Sequence, residues 1–88
     1  TSFDEPEALN LVSVCDYVVA IHGCADRERT IYLGGRDTLL RDAIGESLLE
    51  NGFRTGVHDN PDLQGLSVRN ICNRGRRGQG VQLEILRI

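Results

Sequence analysis

Two histidines, one strand-borne glutamate and a cluster of arginines among asparagines are the residues whose types and spacing could do chemistry. His22 follows the apolar run Tyr17-Val18-Val19-Ala20-Ile21 and precedes Gly23, whose bare backbone lets a ligand or another strand come close. In an open α/β sheet, ligands collect at the carboxyl ends of strands, which makes His22 a candidate ligand or proton carrier. The plainer alternative is a strand-end histidine hydrogen-bonded into its loop. His58, in Gly56-Val57-His58-Asp59-Asn60, has no apolar support and reads as a surface residue. Glu84 stands between Leu83 and Ile85 in an alternating run. It is either solvated, as the polar phase of a strand usually is, or a general base that takes the proton of an activated water.

Arg69, Arg74, Arg76 and Arg77 lie close to Asn70 and Asn73 in a Gly-rich stretch. Forked guanidinium donors and side-chain amides can grip carboxylates, although a solvated loop has the same composition. Cys15, Cys24 and Cys72 are odd in number and contain no CxxC pair. That pattern argues against a disulfide framework or a zinc ribbon and for free thiols in a reducing compartment.

Positioning these residues requires strands and helices in alternation. Asp4 and Glu7 form a capping-box pattern ahead of Ala8, Leu9, Leu11 and Val12, which predicts a helix from about Glu5 to Val14. The run 17–21 is continuous in apolar residues, as in a strand buried on both faces, with His22 at its carboxyl end. After the charged loop 26–29, Thr30-Ile31-Tyr32-Leu33 predicts a second strand, stopped by Gly34-Gly35. Leu39, Leu40, Ala43, Ile44, Leu48 and Leu49 keep helical spacing between Asp37 and Asn51. Residues 53–66 read mainly as loop, with a short strand at 53–57, and 70–80 as irregular. Val81-Gln82-Leu83-Glu84-Ile85 alternates as a half-exposed strand does. The order implies an α/β layer architecture built on a mixed sheet with flanking helices.

With 88 residues, the chain has room for one small domain. Apolar residues at 40% and charged residues at 26% describe a globular chain, not a disordered one. A net charge of −3, with aromatics not interleaved among the arginines, speaks against a nucleic-acid partner. No apolar run has the length of a membrane span and the first residues carry no targeting signal, so the localisation expected is cytoplasmic or unassigned.

Four segments together are familiar: Val19-Ala20-Ile21-His22-Gly23-Cys24, Ile31-Tyr32-Leu33-Gly34-Gly35, Asn70-Ile71-Cys72-Asn73-Arg74-Gly75 and Gly80-Val81-Gln82-Leu83-Glu84. In this order and spacing the chain, from Phe3-Asp4-Glu5-Pro6 onward, resembles the carboxyl-terminal half of the poly-γ-glutamate hydrolases. That family includes phage-encoded enzymes and is similar in fold to zinc carboxypeptidases.

The resemblance implies that 1–88 is a single incomplete α/β domain. His22 matches the second zinc-ligand histidine, with zinc's other two ligands, a His and a Glu, expected from the first half of the family domain. Glu84 matches the general base. Arg74, with Asn70 or Asn73, is similar in position to polar residues that hold a substrate carboxylate. The implied function is zinc-dependent hydrolysis of amide bonds in an anionic polymer such as poly-γ-glutamate, active only with the first half. No HxxE pair is present, since Ala25 follows His22 by three places and Pro61 follows His58 by three. The alternative is therefore a non-catalytic module that binds anions. In either case exposed strands are expected to self-associate or to pair with the first half.

Overall fold

In the computed structural model, which describes residues 6–24 and 29–86, four strands form one mixed sheet in the order β1-β4-β2-β3. The elements along the chain are α1 (Pro6–Ser13), β1 (Val19–Cys24), β2 (Thr30–Gly34), α2 (Thr38–Glu50), β3 (Arg54–Gly56) and β4 (Val81–Leu86). Two single-turn 3-10 helices, Pro61–Leu63 and Ile71–Asn73, interrupt the long segment before β4. The last strand inserts between β1 and β2, parallel to the former and antiparallel to the latter, and β3 pairs parallel with β2 at the far edge. The mixed sheet and flanking helices agree with the architecture expected from the sequence. The Asp4 cap and most of the charged loop 26–29 lie outside the described residues.

β1 begins two residues later than the apolar run suggests and extends through His22 to Cys24. Tyr17 and Val18 precede the strand: the Val18 carbonyl accepts the Val81 N–H at 2.9 Å where the ladder starts, and the Cys15 carbonyl accepts the Arg76 N–H at 2.8 Å. His22 is thus inside the strand. Nor is the strand buried on both faces: Ile21 is 69% and Val19 45% exposed. Both share their face with Leu33, through Leu83 and Val81, and α2 covers that face over β2, β3 and β4.

The helix α2 starts at Asp37, whose Oδ1 accepts the Leu40 N–H at 3.2 Å, and ends at Asn51, before Gly52 at φ 85. It approaches Leu33 through Gly45, where a Cβ would lie 2.8 Å from Leu33 Cδ1. Part of its apolar stripe remains uncovered, as at Leu39. Among the described residues no helix is long and apolar enough to cross a membrane.

The opposite face of the sheet lies under the segment 57–80. That segment seats at Gly80, where any side chain would collide with the Cys72 carbonyl. Asn73 ties it together. Its Oδ1 accepts the N–H groups of Arg36 at 3.2 Å and Gly80 at 3.1 Å, and its Nδ2 donates to the carbonyls of Gly65 at 2.6 Å and Ser67 at 2.9 Å. Asn70, Asn73 and Gln82 are as buried as Val18, Leu33, Val81 and Cys72, so the interior is held by hydrogen bonds as much as by apolar contact. The alternation in β4 therefore does not sort core from solvent. The strand is central, and its polar phase faces this buried layer.

Asp37 also pairs with Arg77, which lies over the Tyr17 ring and donates to the Asp16 carbonyl. Burial pushes the Asp37 carboxyl up, but the Arg77 hydrogen bond, the Leu40 N–H and the Arg77 charge outweigh it and hold the group below its ordinary value. A depressed carboxyl stabilises the fold above its unfolded pKa of about 3.9, and the contribution is lost as pH falls through the folded value. Replacing Arg77 by Met should cost about 1–3 kcal/mol in urea unfolding at neutral pH, less than a fully buried pair because Arg77 is 33% exposed. The acid-unfolding midpoint should move to higher pH. An unchanged midpoint would mean that the pair does not hold the helix start.

Candidate active-site row

Register places the chemistry. His22 pairs with Glu84 across β1 and β4, and Glu84 pairs with Tyr32 across β4 and β2. Register partners project to the same face of a sheet with their strands about 4.8 Å apart, so the three side chains form one row. Gln82 lies one pleat earlier on that face, opposite Ala20 and Gly34.

His22 Nε2 is buried and has no hydrogen-bond partner among the described residues. Leaving such a nitrogen unpaired costs about 1–3 kcal/mol, a cost a ligand would remove. The donor type and its isolation fit a metal-binding imidazole. Among the described residues no three His, Cys, Asp or Glu side chains gather as a metal site, so His22 can furnish one ligand of a set. Beside it, half-buried Glu84 accepts from Gln82 Nε2 at 3.3 Å and makes no ion pair with a described residue.

Tyr32 and His58 extend the row toward β3. Their ring centroids are 5.1 Å apart at an interplanar angle of 52°. His58 is thus half-buried against the site face and is not a free surface residue. Its Nδ1 accepts the Asn60 N–H at 3.2 Å, which assigns the proton of the neutral ring to Nε2, and the His58 carbonyl accepts Gln64 Nε2 at 2.8 Å. The sequence gives no signal that this pair joins His22 and Glu84 in one row, because nothing in it reveals that β4 enters between β1 and β2.

The predicted substrate residues separate. Asn70 and Asn73 are each 3% exposed and committed to internal bonds: Asn70 accepts the Cys72 N–H and donates to Gln82 Oε1. Arg74 is half-buried, and its guanidinium has no partner among the described residues. It precedes Gly75, which packs against Val18 where β1 and β4 begin. Arg76 is spent on the Val14 carbonyl and Asp16, and Arg77 on Asp37, so the cluster is largely a staple for residues 14–18 and not a free cationic patch. Cys72 is fully buried and burial pushes its thiol up to about 11, which makes it packing and not a nucleophile. Cys15 is also a free thiol.

The family profile described as Poly-gamma-glutamate hydrolase matches residues 1–88. Among Bacillus subtilis (strain 168) proteins, the chain is similar to the SPbeta prophage-derived protein YoqZ, with 36% identity over 86 residues, 97% of this chain and 31% of that protein. It is 34% identical to YndL of the same strain, over 97% of this chain and 34% of the relative. The solved structure of a bacteriophage poly-gamma-glutamate hydrolase superposes with a TM-score of 0.88 at 35% identity, covering 96% of this chain and 41% of that one. A zinc-free apo form of YndL superposes with a TM-score of 0.85 at 34% identity, covering 96% and 42%. The chain therefore spans about a third of the length of the curated relatives it matches.

Asn73 uses both donors and both acceptor lone pairs, and it should be the most sensitive polar position outside the row. Replacing it by Ala should cost roughly 3 kcal/mol, because four backbone groups, two of them in buried bonds, lose their partner together. A loss below about 1 kcal/mol in chemical unfolding would show that water replaces the amide at this point.

Proposed function

The chain belongs to the poly-gamma-glutamate hydrolase family, and from that membership we propose that it supplies the carboxyl-terminal part of a zinc-dependent hydrolase. The bond cleaved is an amide in an anionic polymer such as poly-γ-glutamate. Residues 1–88 form a single incomplete α/β domain on this reading, and the rest of the catalytic site comes from outside them, as the share of each relative's length suggests. The observation that carries the proposal is the register of Glu84 beside a histidine whose buried Nε2 has no partner among the described residues.

His22 would hold zinc together with ligands from the remainder of the domain. Bound there, zinc would polarise the scissile carbonyl and make water acidic enough to attack near neutral pH. Glu84 accepts the proton of the attacking water and returns it to the leaving amide nitrogen, the two-step task of one carboxylate as base and then acid. Arg74 grips a substrate carboxylate, which explains why a half-buried guanidinium is kept without a partner among the described residues. Asn70 and Asn73 contribute by holding the segment that carries Arg74. The exposed apolar side chains of Val19 and Ile21 along edge strand β1 favour the same incomplete-domain reading, since an uncovered strand and apolar face suit pairing with the rest of the site.

In an active hydrolase containing this chain, Glu84→Gln keeps size and shape but removes the proton acceptor. Turnover should fall by about two to four orders of magnitude while zinc content and substrate binding persist. Arg74→Ala should instead raise KM with kcat largely retained, as expected for uniform binding. Turnover within a few-fold of wild type in Glu84→Gln would make Glu84 a solvated strand residue. Loss of zinc from that variant would make it a ligand and not the base.

A further inference from the structure

Gln82 is 4% exposed, lies one pleat before Glu84 on the same face, and has its amide oriented by bonds that cannot be reversed. The orientation starts at the backbone. The Cys72 N–H donates to Asn70 Oδ1 at 3.1 Å, and because a backbone N–H is only a donor, it fixes which end of the Asn70 amide is oxygen. Asn70 must then present Nδ2 to its other neighbour, and it donates to Gln82 Oε1 at 2.8 Å. Gln82 in turn has Nε2 left for the remaining two partners, the Leu63 carbonyl at 3.4 Å and Glu84 Oε1 at 3.3 Å. Turning either amide over would set oxygen against oxygen or N–H against N–H within a buried chain. The polarity of the whole relay is therefore set at one end by the Cys72 N–H and at the other by the Leu63 carbonyl.

We propose, building on the catalytic reading of Glu84, that Gln82 is its positioning residue and that Asn70 acts through Gln82. A glutamate on a strand has three side-chain torsions to fix, and β4 by itself sets only its face. The Gln82 N–H occupies Oε1 and leaves the second oxygen to take the proton of the attacking water. Neither Gln82 nor Asn70 has to touch substrate. The relay also links the loop to the row, since the bond from Asn70 places the Ile71–Asn73 turn against β4 at the same point.

The test uses an active hydrolase containing this chain, with Glu84→Gln as the reference. Gln82→Glu keeps shape and can still accept from Asn70 Nδ2, but it turns a carboxylate oxygen toward Glu84. Asn70→Asp keeps the bond from the Cys72 N–H and removes the donor to Gln82. Each should lower kcat by about 10- to 100-fold with KM within about threefold, because both act on one relay. In the same hydrolase, Glu84→Ala should move the Gln82 side-chain amide proton upfield. The proposal is overturned if Gln82→Glu and Asn70→Asp keep kcat within about threefold where Glu84→Gln inactivates, or if the amide resonance does not move. Should Gln82→Glu fail to fold, Asn70→Asp is read by the same criterion. Turnover that survives Glu84→Gln is a different failure, that of the catalytic reading of Glu84.

Discussion

The register of β4 between β1 and β2 is the constraint on which the site depends. Glu84 meets His22 on one side and Tyr32 on the other only because Val81 is opposite Val19 and Leu83 is opposite both Ile21 and Leu33. Side chains alternate along a strand, so a slip of one residue would send Glu84 and Gln82 to the α2 face and bring Leu83 under the loop. No single contact enforces the register. It is fixed by the Val81 N–H on the Val18 carbonyl at the start of β4, by Gly80 seated on the Cys72 carbonyl, and by Gln82 held between Asn70 and Leu63. The same bonds that place the strand thereby polarise the residue beside the candidate base.

This accounts for the division of labour between the two faces of the sheet. The α2 face is apolar and incompletely covered, with Val19, Ile21 and Ile85 left open beside β1. The site face is polar and closely covered, with a layer of asparagine and glutamine amides in place of a large apolar core. A small domain with few buried aliphatic residues gains specificity from such a network provided each member is satisfied. Asn73, with four partners, meets that condition. Among the described residues His22 Nε2 does not, and it falls in the row that the proposed chemistry needs.

Much of the framework was legible from local pattern. Helical spacing with Asp37 before it and Asn51-Gly52 after it located α2 to within a residue at each end, because caps and glycine stops are local physics. The short strand β3 and the strand β2 were readable for the same reason. Strand order was not, since insertion of β4 between β1 and β2 is a long-range event that leaves no periodicity. Without it His22 and Glu84 could be brought together only by family resemblance, Tyr32 and His58 had no reason to be joined to them, and Gln82 read as the wet side of an alternating strand. The arginine cluster misled in a related way: guanidinium forks serve carbonyls and carboxylates of the protein itself as readily as those of a substrate, and Arg76 and Arg77 are used internally.

The central claim, that this chain contributes one zinc ligand and relies on others from beyond it, is tested most directly by zinc affinity. Competition with a chromophoric chelator would be run on the 88-residue chain, on an active hydrolase containing it, and on that hydrolase with His22→Ala. The account predicts weak binding by the chain alone, where one imidazole leaves the rest of the coordination shell to water, and tight stoichiometric binding by the hydrolase. It further predicts a loss of at least about a hundredfold in affinity when His22 is removed. Tight binding that His22→Ala leaves unchanged would contradict it, because the unpartnered nitrogen beside Glu84 would then have no part in holding the metal.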